Sequence, residues 1–411
     1  MDMIKTYENG LTLIVSEGGA MSASFSITIG TGSVNETKEN NGISHYAEHM
    51  SFKGTDKYSA SEISETLEAC GASFNAYTGS ETTCFYAQTI KENLETVFSV
   101  MADGVFKSVY PENEAEKEKR VIIEEISMCE DTPDDVCFDL SNAAYFGNDG
   151  YGQTILGPSE NVLKFTRSDV EKYLGDFYVS ENTVVAFAGN VTEKEAEYLT
   201  EKYVLPFVKE GKVTNAPAHN TVNLKRNLKK DKDIEQTHFC IMFPSPSFLD
   251  CDRLASEMAT SVLGGGMSSR LFRRVREELG LAYSVYAFAS RSKDVGTASV
   301  YAGVNSDSAE NAYFSVLETI SEVRKSGISE AEFLKAKSQL KSSTVFSLER
   351  PSVKTQLFSK HYLLTGGLYD VEERMRALDK VTKSEVEKAF EYFNVNDKST
   401  AIVGKNVRPL G

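Results

Sequence analysis

Alternation of apolar and polar positions opens the chain, and helical spacing follows it. Leu11, Leu13 and Val15 fall every second residue, and Ser22-Ala23-Ser24-Phe25-Ser26-Ile27-Thr28-Ile29 keeps the same period. Side chains two apart share one face of a strand, so two strands are predicted, set off by Gly10 and by Gly18-Gly19. Gly30-Thr31-Gly32-Ser33 breaks the pattern. Beyond it Ile43, Tyr46, Ala47 and Met50 recur at helical spacing and predict a short helix. A second helix, 59–69, opens on Ser59-Ala60-Ser61-Glu62, a serine cap with an acidic first turn. Strands at 73–77 and 82–89, joined across Thr78-Gly79-Ser80-Glu81, read as a hairpin. Helices then dominate 91–174, and a strand at 183–188 and a helix at 193–203 close the first half.

The second half repeats that order. Strands are predicted at 221–224 and 238–243, helices at 251–263 and 270–278, and strands at 283–288 and 297–303. Helices at 308–325, 330–347, 353–364 and 383–392 precede a last strand at 400–403. The expected fold is α+β: two homologous domains, each an antiparallel-rich mixed sheet packed by helices. The boundaries are 1–210 for the first domain, 211–220 for a Pro- and Gly-containing linker and 221–411 for the second. A chain of 411 residues also exceeds what one hydrophobic core holds.

Composition narrows the class. Hydrophobic residues at 41% and charged residues at 25% are those of a soluble globular protein. No apolar run approaches the roughly 18 residues of a membrane helix, so no membrane partner is expected. The N-terminus lacks a basic region followed by an apolar one, and no signal peptide is expected. The 6 cysteines are scattered without a Cys-x-x-Cys pair, as in a reducing cytoplasm. A net charge of −16 argues against nucleic acid as a partner. It is read as a solvated acidic surface in preference to an acidic cavity for basic peptides.

The candidate chemistry lies in the helix at 43–50. His45 and His49 are four apart and stand on one helical face, and Glu48 sits beside them. Two imidazoles at this spacing can hold one Zn²⁺, and a neighbouring carboxylate can take a proton from water activated there. The order His-x-x-Glu-His is that of inverted zinc peptidases, and with only 5 His in the chain it is a specific signal. A third ligand must come from elsewhere. Between 112 and 128, Glu118, Ile122, Glu125 and Cys129 form one helical stripe. Glu125 fits as the ligand better than Glu124, which lies about 100° off that stripe, although such acids also simply solvate a charged helix. The second half has Leu254-Ala255-Ser256-Glu257-Met258-Ala259 where the first has its histidines, so it carries no equivalent site. Its Gly264-Gly265-Gly266 run lacks a Gly-Lys-Ser/Thr and is read as close packing or a hinge. Arg276 and Tyr283, seven apart, have groups that bind a peptide backbone or an oxyanion; a salt-bridged Arg and a packed Tyr is the plainer alternative.

With these residues in place, the chain resembles the pitrilysin family of zinc peptidases, which includes insulin-degrading enzyme and the mitochondrial processing peptidase. The resemblance covers nearly the whole chain and is closest to the short two-domain bacterial members. It rests on His45-Tyr46-Ala47-Glu48-His49-Met50-Ser51-Phe52-Lys53-Gly54-Thr55 and on Glu125, 76 residues beyond the motif's second histidine by the family's spacing. It implies that His45, His49 and Glu125 bind one Zn²⁺ per chain, that Glu48 is the base and that Glu118 assists. Phe74-Asn75-Ala76-Tyr77-Thr78 resembles the family's substrate-binding edge strand, with Asn75 and the Ala76 backbone as contacts. Arg276 and Tyr283 resemble the pair that completes the site from the C-terminal half. Ser51, where an apolar residue is usual, and Asn148-Asp149-Gly150-Tyr151-Gly152 depart from the family pattern without touching a ligand. The implied activity is cleavage of unfolded peptides in a chamber, and the implied assembly is a homodimer in the cytoplasm. A catalytically silent scaffold subunit, or an active subunit that needs a separate partner chain, are the competing readings.

Overall fold

The computed structural model describes residues 2–214 and 216–410. The expected linker at 211–220 contains Asn215, which lies outside them. Two α+β units emerge, each a mixed sheet packed by helices, as the sequence pattern predicts.

The first half runs β1 (Met3–Thr6), β2 (Thr12–Glu17), β3 (Ser22–Ile29), α1 (Ile43–Met50), α2 (Ala60–Ala69), β4 (Ser73–Thr78), β5 (Thr83–Ile90), α3 (Leu94–Lys107) and α4 (Glu112–Asp131). It continues through α5 (Pro133–Phe146), α6 (Ser159–Val162), α7 (Arg167–Phe177), β6 (Thr183–Gly189) and α8 (Glu193–Tyr203). The second half runs β7 (Asn227–Asp231), β8 (Gln236–Ser245), α9 (Arg253–Gly264), a π-helical turn (Phe272–Glu278), β9 (Ala282–Arg291) and β10 (Gly296–Asn305). Helices α10 (Ala309–Ser326), α11 (Glu330–Leu348), α12 (Pro351–Thr365), α13 (Val371–Lys380) and α14 (Lys383–Ala389) lead to β11 (Ser399–Gly404).

The first sheet has the order β1-β2-β6-β3-β5-β4 and the second β7-β11-β8-β10-β9. Apart from β1 they share one plan. One parallel pair (β2·β6, β7·β11) is followed by three antiparallel ones, ending in an edge strand, β4 or β9. The duplication read from the order of elements therefore holds at the level of strand pairing.

The compact units do not follow the two halves of the sequence. One gathers Met1–Ile126, Thr154–His219 and Val345–Tyr369; the other gathers Ser127–Gln153, Asn220–Thr344 and Asp370–Gly411. The expected division at 211–220 thus differs by two exchanged segments, α12 and α5. The reason is the second face of each sheet. In β3 the residues Phe25, Ile27 and Ile29 enter the main core, while Ser24, Ser26 and Thr28 face the other way and are also buried. There α12 lies on the sheet: Phe358 packs with Ile14, Val184 and Ala186, and Ser359 Oγ meets Ser26 Oγ at 3.1 Å. Helix α5 does the same for the second sheet, where Val136 and Cys137 pack with Cys240, Ala401 and Val403.

Two elements depart from expectation. The strand expected at 221–224 does not form; the paired strand is β7, because Lys225 adopts φ +52° and breaks the extended run. Strand β1 and helix α13 were absent from the pattern. None of the six cysteines is in a disulfide. No helix among the described residues is long and apolar enough to cross a membrane.

Candidate metal centre

The site is built on α1, and α1 is anchored by a carboxylate. Buried Glu36 accepts hydrogen bonds from the Asn41 amide, from the backbone N–H groups of Gly42 and Ser44 (2.8 Å each) and from the Ser44 hydroxyl. The unpaired N–H groups and the dipole at a helix start favour such a charge. Burial pushes the Glu36 carboxyl up, and these bonds oppose it. The Tyr173 hydroxyl closes the cluster, 2.6 Å from Ser44 Oγ and 2.9 Å from Thr31 Oγ1. The chain enters α1 through Gly42 at φ +99°, where a Cβ would meet the Leu156 carbonyl oxygen at 2.5 Å. Both the angle and the space require glycine.

His45 and His49 lie one turn apart, with their Nε2 atoms 3.2 Å from each other. Helix α4 carries Glu125 to them, its Oε2 3.6 Å from each Nε2. One ligand atom from each of the three residues lies within 4.8 Å of the others, the one such His/Cys/Asp/Glu cluster among the described residues. Two imidazole nitrogens and one carboxylate oxygen are a donor set for zinc with a fourth position left open, so these residues fit the ion. Burial, followed by the neighbouring His49, pushes His45 down to about 3, which keeps it in the neutral form that ligates a metal. Glu124 is exposed and takes no part in the cluster, as the helical phase predicts.

Glu118 holds the second imidazole of the cluster. Its Oε1 is 2.7 Å from His49 Nδ1, and its Oε2 is 2.6 Å from Lys53 Nζ. A carboxylate on Nδ1 fixes the ring and directs Nε2 to the metal. Burial raises the Glu118 carboxyl, but the bonds to His49 and Lys53 outweigh it and hold it below the usual range. Glu48 is buried at 8% exposure, and its Oε2 accepts a 2.5 Å hydrogen bond from the Thr78 hydroxyl. Burial pushes its carboxyl up; Thr78 and His49 pull the other way.

The hairpin β4–β5 ends the first sheet, and β4 has a strand partner on one side only. Asn75 is exposed on it, its Oδ1 accepting from the Ala76 N–H at 2.9 Å, and Ala76 is half-buried. In the other unit, the Arg276 guanidinium lies 4.8 Å from the Phe272 ring centre and 5.4 Å from that of Tyr283. Both residues are exposed, Tyr283 at 73%. Their side chains meet each other, so the plainer expectation of a packed tyrosine does not describe them.

The structure thus gathers His45, His49, Glu48, Glu118 and Glu125 in one unit and pairs Arg276 with Tyr283 in the other. Reading the sequence missed three residues of the centre. Lys53 lies just past the end of α1 and was part of the motif without a role of its own. Thr78 stood in the turn and at the end of the edge-strand segment without a role of its own, and Glu36, six residues before Gly42, gave no signal.

The chain is similar to known proteins over nearly its whole length. A family model described as insulinase (peptidase family M16) matches residues 12–159, and one described as the peptidase M16 inactive domain matches 164–340. A Bacillus subtilis (strain 168) protein named uncharacterized zinc protease YmxG is 36% identical over 407 residues, 98% of this chain and 98% of its own. A Rickettsia felis protein named uncharacterized zinc protease is 31% identical over 406 residues, 98% of this chain and 97% of its own. Among solved structures, a Helicobacter pylori protease superposes with a TM-score of 0.91 at 22% identity, covering 98% of this chain and 99% of that one. A Pseudomonas fluorescens structure described as a peptidase M16 inactive domain gives 0.90 at 17% identity, covering 100% of both chains.

Proposed function

This chain belongs to the M16 (pitrilysin) peptidase family, and we propose that it is a zinc-dependent endopeptidase that cleaves unfolded peptides in a chamber formed by two copies of the chain. The observation that carries this reading is the convergence of His45, His49 and Glu125 with a buried carboxylate, Glu48, one residue from His49. His45 Nε2, His49 Nε2 and the Glu125 carboxylate would hold one zinc ion. When bound, the ion supplies Lewis-acid charge for a peptide carbonyl and makes water a usable nucleophile near neutral pH.

The chain's own residues do the rest. Glu48 takes the proton from the attacking water and passes it to the leaving amine; its burial gives it the proton affinity for both steps. Glu118 and Lys53 keep His49 in the orientation that a ligand needs. The open edge of β4 pairs with an extended peptide through main-chain bonds, which suits substrates of varied sequence, with Asn75 and the Ala76 backbone as contacts. Arg276 and Tyr283 hold the peptide main chain; their exposure and shared ring contact support that role. The scattered cysteines, without a Cys-x-x-Cys pair, support a reducing, cytoplasmic setting.

The test is to purify the chain alone, measure zinc per chain and mass in solution, and assay a mixed peptide set with and without a chelator. Cleavage by a zinc-loaded dimer that stops on chelation and returns with zinc supports the reading. Zinc without cleavage points to a missing partner chain, and a chain that takes up no zinc leaves the scaffold.

A further inference from the structure

We infer that Thr78 is the positioning residue for the base: its hydroxyl aims Glu48, and Gly32 seats the hairpin that carries Thr78. The inference rests on the peptidase reading and goes beyond it to residues outside the metal motif.

Three observations converge. Thr78 is the last residue of β4, paired with Thr83, and its Oγ1 donates to Glu48 Oε2 at 2.5 Å. A neutral donor on one carboxylate oxygen fixes the plane of the group and leaves Oε1 for the proton, without neutralising the charge that makes the group a base. The turn that follows Thr78 is pinned from below by the glycine-rich segment after β3. Ser33 N donates to the Gly79 carbonyl at 3.2 Å, Val34 N to that of Ser80 at 2.9 Å, and Thr83 Oγ1 to that of Thr31 at 2.9 Å. At Gly32 a Cβ would stand 2.0 Å from the Gly79 oxygen and 2.8 Å from the Ser80 oxygen, both backbone atoms. Any side chain there lifts the turn, and Thr78 with it.

The second sheet shows the alternative. Its helix α9 presents Glu257 to Arg291, the last residue of its own edge strand β9, at 3.3 Å. A guanidinium at that place compensates the carboxylate; a threonine orients it and leaves it basic. The same strand that pairs with a peptide thus also carries the group that aims the base, so peptide register and base position are set by one element.

The experiment compares Thr78→Val, Thr78→Ser and Gly32→Ala with wild type in peptide cleavage, zinc content and thermal unfolding, with peptide affinity measured on a Glu48→Gln background. Thr78→Val is isosteric and removes only the donor. It is expected to lower kcat by about 10–100-fold, the usual cost of an outer supporting bond, with KM, peptide affinity and zinc content within about twofold of wild type. Thr78→Ser keeps the donor and is expected to stay within about threefold. Gly32→Ala is expected to follow Thr78→Val in kcat while retaining zinc; since it also carries a folding risk, Thr78→Val decides. Wild-type kcat in Thr78→Val, equal losses in the valine and serine variants, or parallel loss of zinc or peptide affinity would overturn the inference and leave the peptidase reading standing. A zinc-loaded wild type that cleaves nothing in the same assay brings down both.

Discussion

The two sheets are built alike and are chemically opposite. In each, the helix after the antiparallel partner strand packs against the edge strand, α1 beside β4 and α9 beside β9. Each helix carries a glutamate that reaches the last residue of that strand. On the first sheet Glu48 meets a threonine, and histidines on the same helix face a glutamate from α4. On the second, Glu257 is clamped between Arg291 and Arg374 at 3.3 and 3.1 Å. One scaffold therefore holds a carboxylate bonded to a hydroxyl in one copy and a carboxylate clamped by two arginines in the other, and the difference lies in the partner, not in the fold.

Four experiments sharpen or break this contrast. The largest effect is expected from Glu48→Gln, which removes the base: peptide cleavage falls about 10²–10⁴-fold, with zinc content unchanged by elemental analysis. Cleavage near the wild-type rate would end the idea that the two glutamates differ in function. Next is Phe358→Ala, which empties the contact of α12 with the first sheet. A fully buried phenylalanine of this kind costs roughly 3–5 kcal/mol, to be read from denaturant midpoints. A loss well under 1 kcal/mol would mean that the exchanged helix is not part of that unit's core.

Third, Glu257→Gln strands Arg291, whose side chain is only 9% exposed, and is expected to cost about 3 kcal/mol of stability without changing zinc content. Loss of zinc in this variant would contradict a purely structural role. The smallest effect belongs to Glu332, which binds Arg270 through both carboxylate oxygens and caps the N–H of Ser329. The Arg270 bond holds its carboxyl at about 2, below the ordinary 4.5. A depressed carboxyl contributes stability above pH 4.5 and loses it as pH falls from 4.5 through 2. Partial exposure keeps the contribution below about 1 kcal/mol. Glu332→Gln should lower stability above pH 4.5 by up to about 1 kcal/mol, flatten the acid limb between 4.5 and 2, and leave the most acid range nearly unchanged; an unaltered limb would show that the pair contributes nothing.

The sequence by itself determined the helix that pairs the two histidines, because i,i+4 spacing alone puts His45 and His49 on one face. Helical phase favoured Glu125 over Glu124 but left open whether either carboxylate faces inward. Alternation located most of the strands, though not β1 or β7, and the order of elements pointed to the duplication. These are local properties, set within a turn of helix or a few residues of strand. Only the tertiary structure decided which distant groups meet. It alone brought Glu36 to the N-terminus of α1 and Thr78 to Glu48. It alone sent α12 and α5 to cover sheets from the other half of the sequence. Ser24, Ser26 and Thr28 read as solvent-facing by alternation, yet they are buried, because a helix more than 300 residues away supplies the missing face. Periodicity reports how a segment divides its two sides; what fills the space on either side depends on chain that the segment does not contain.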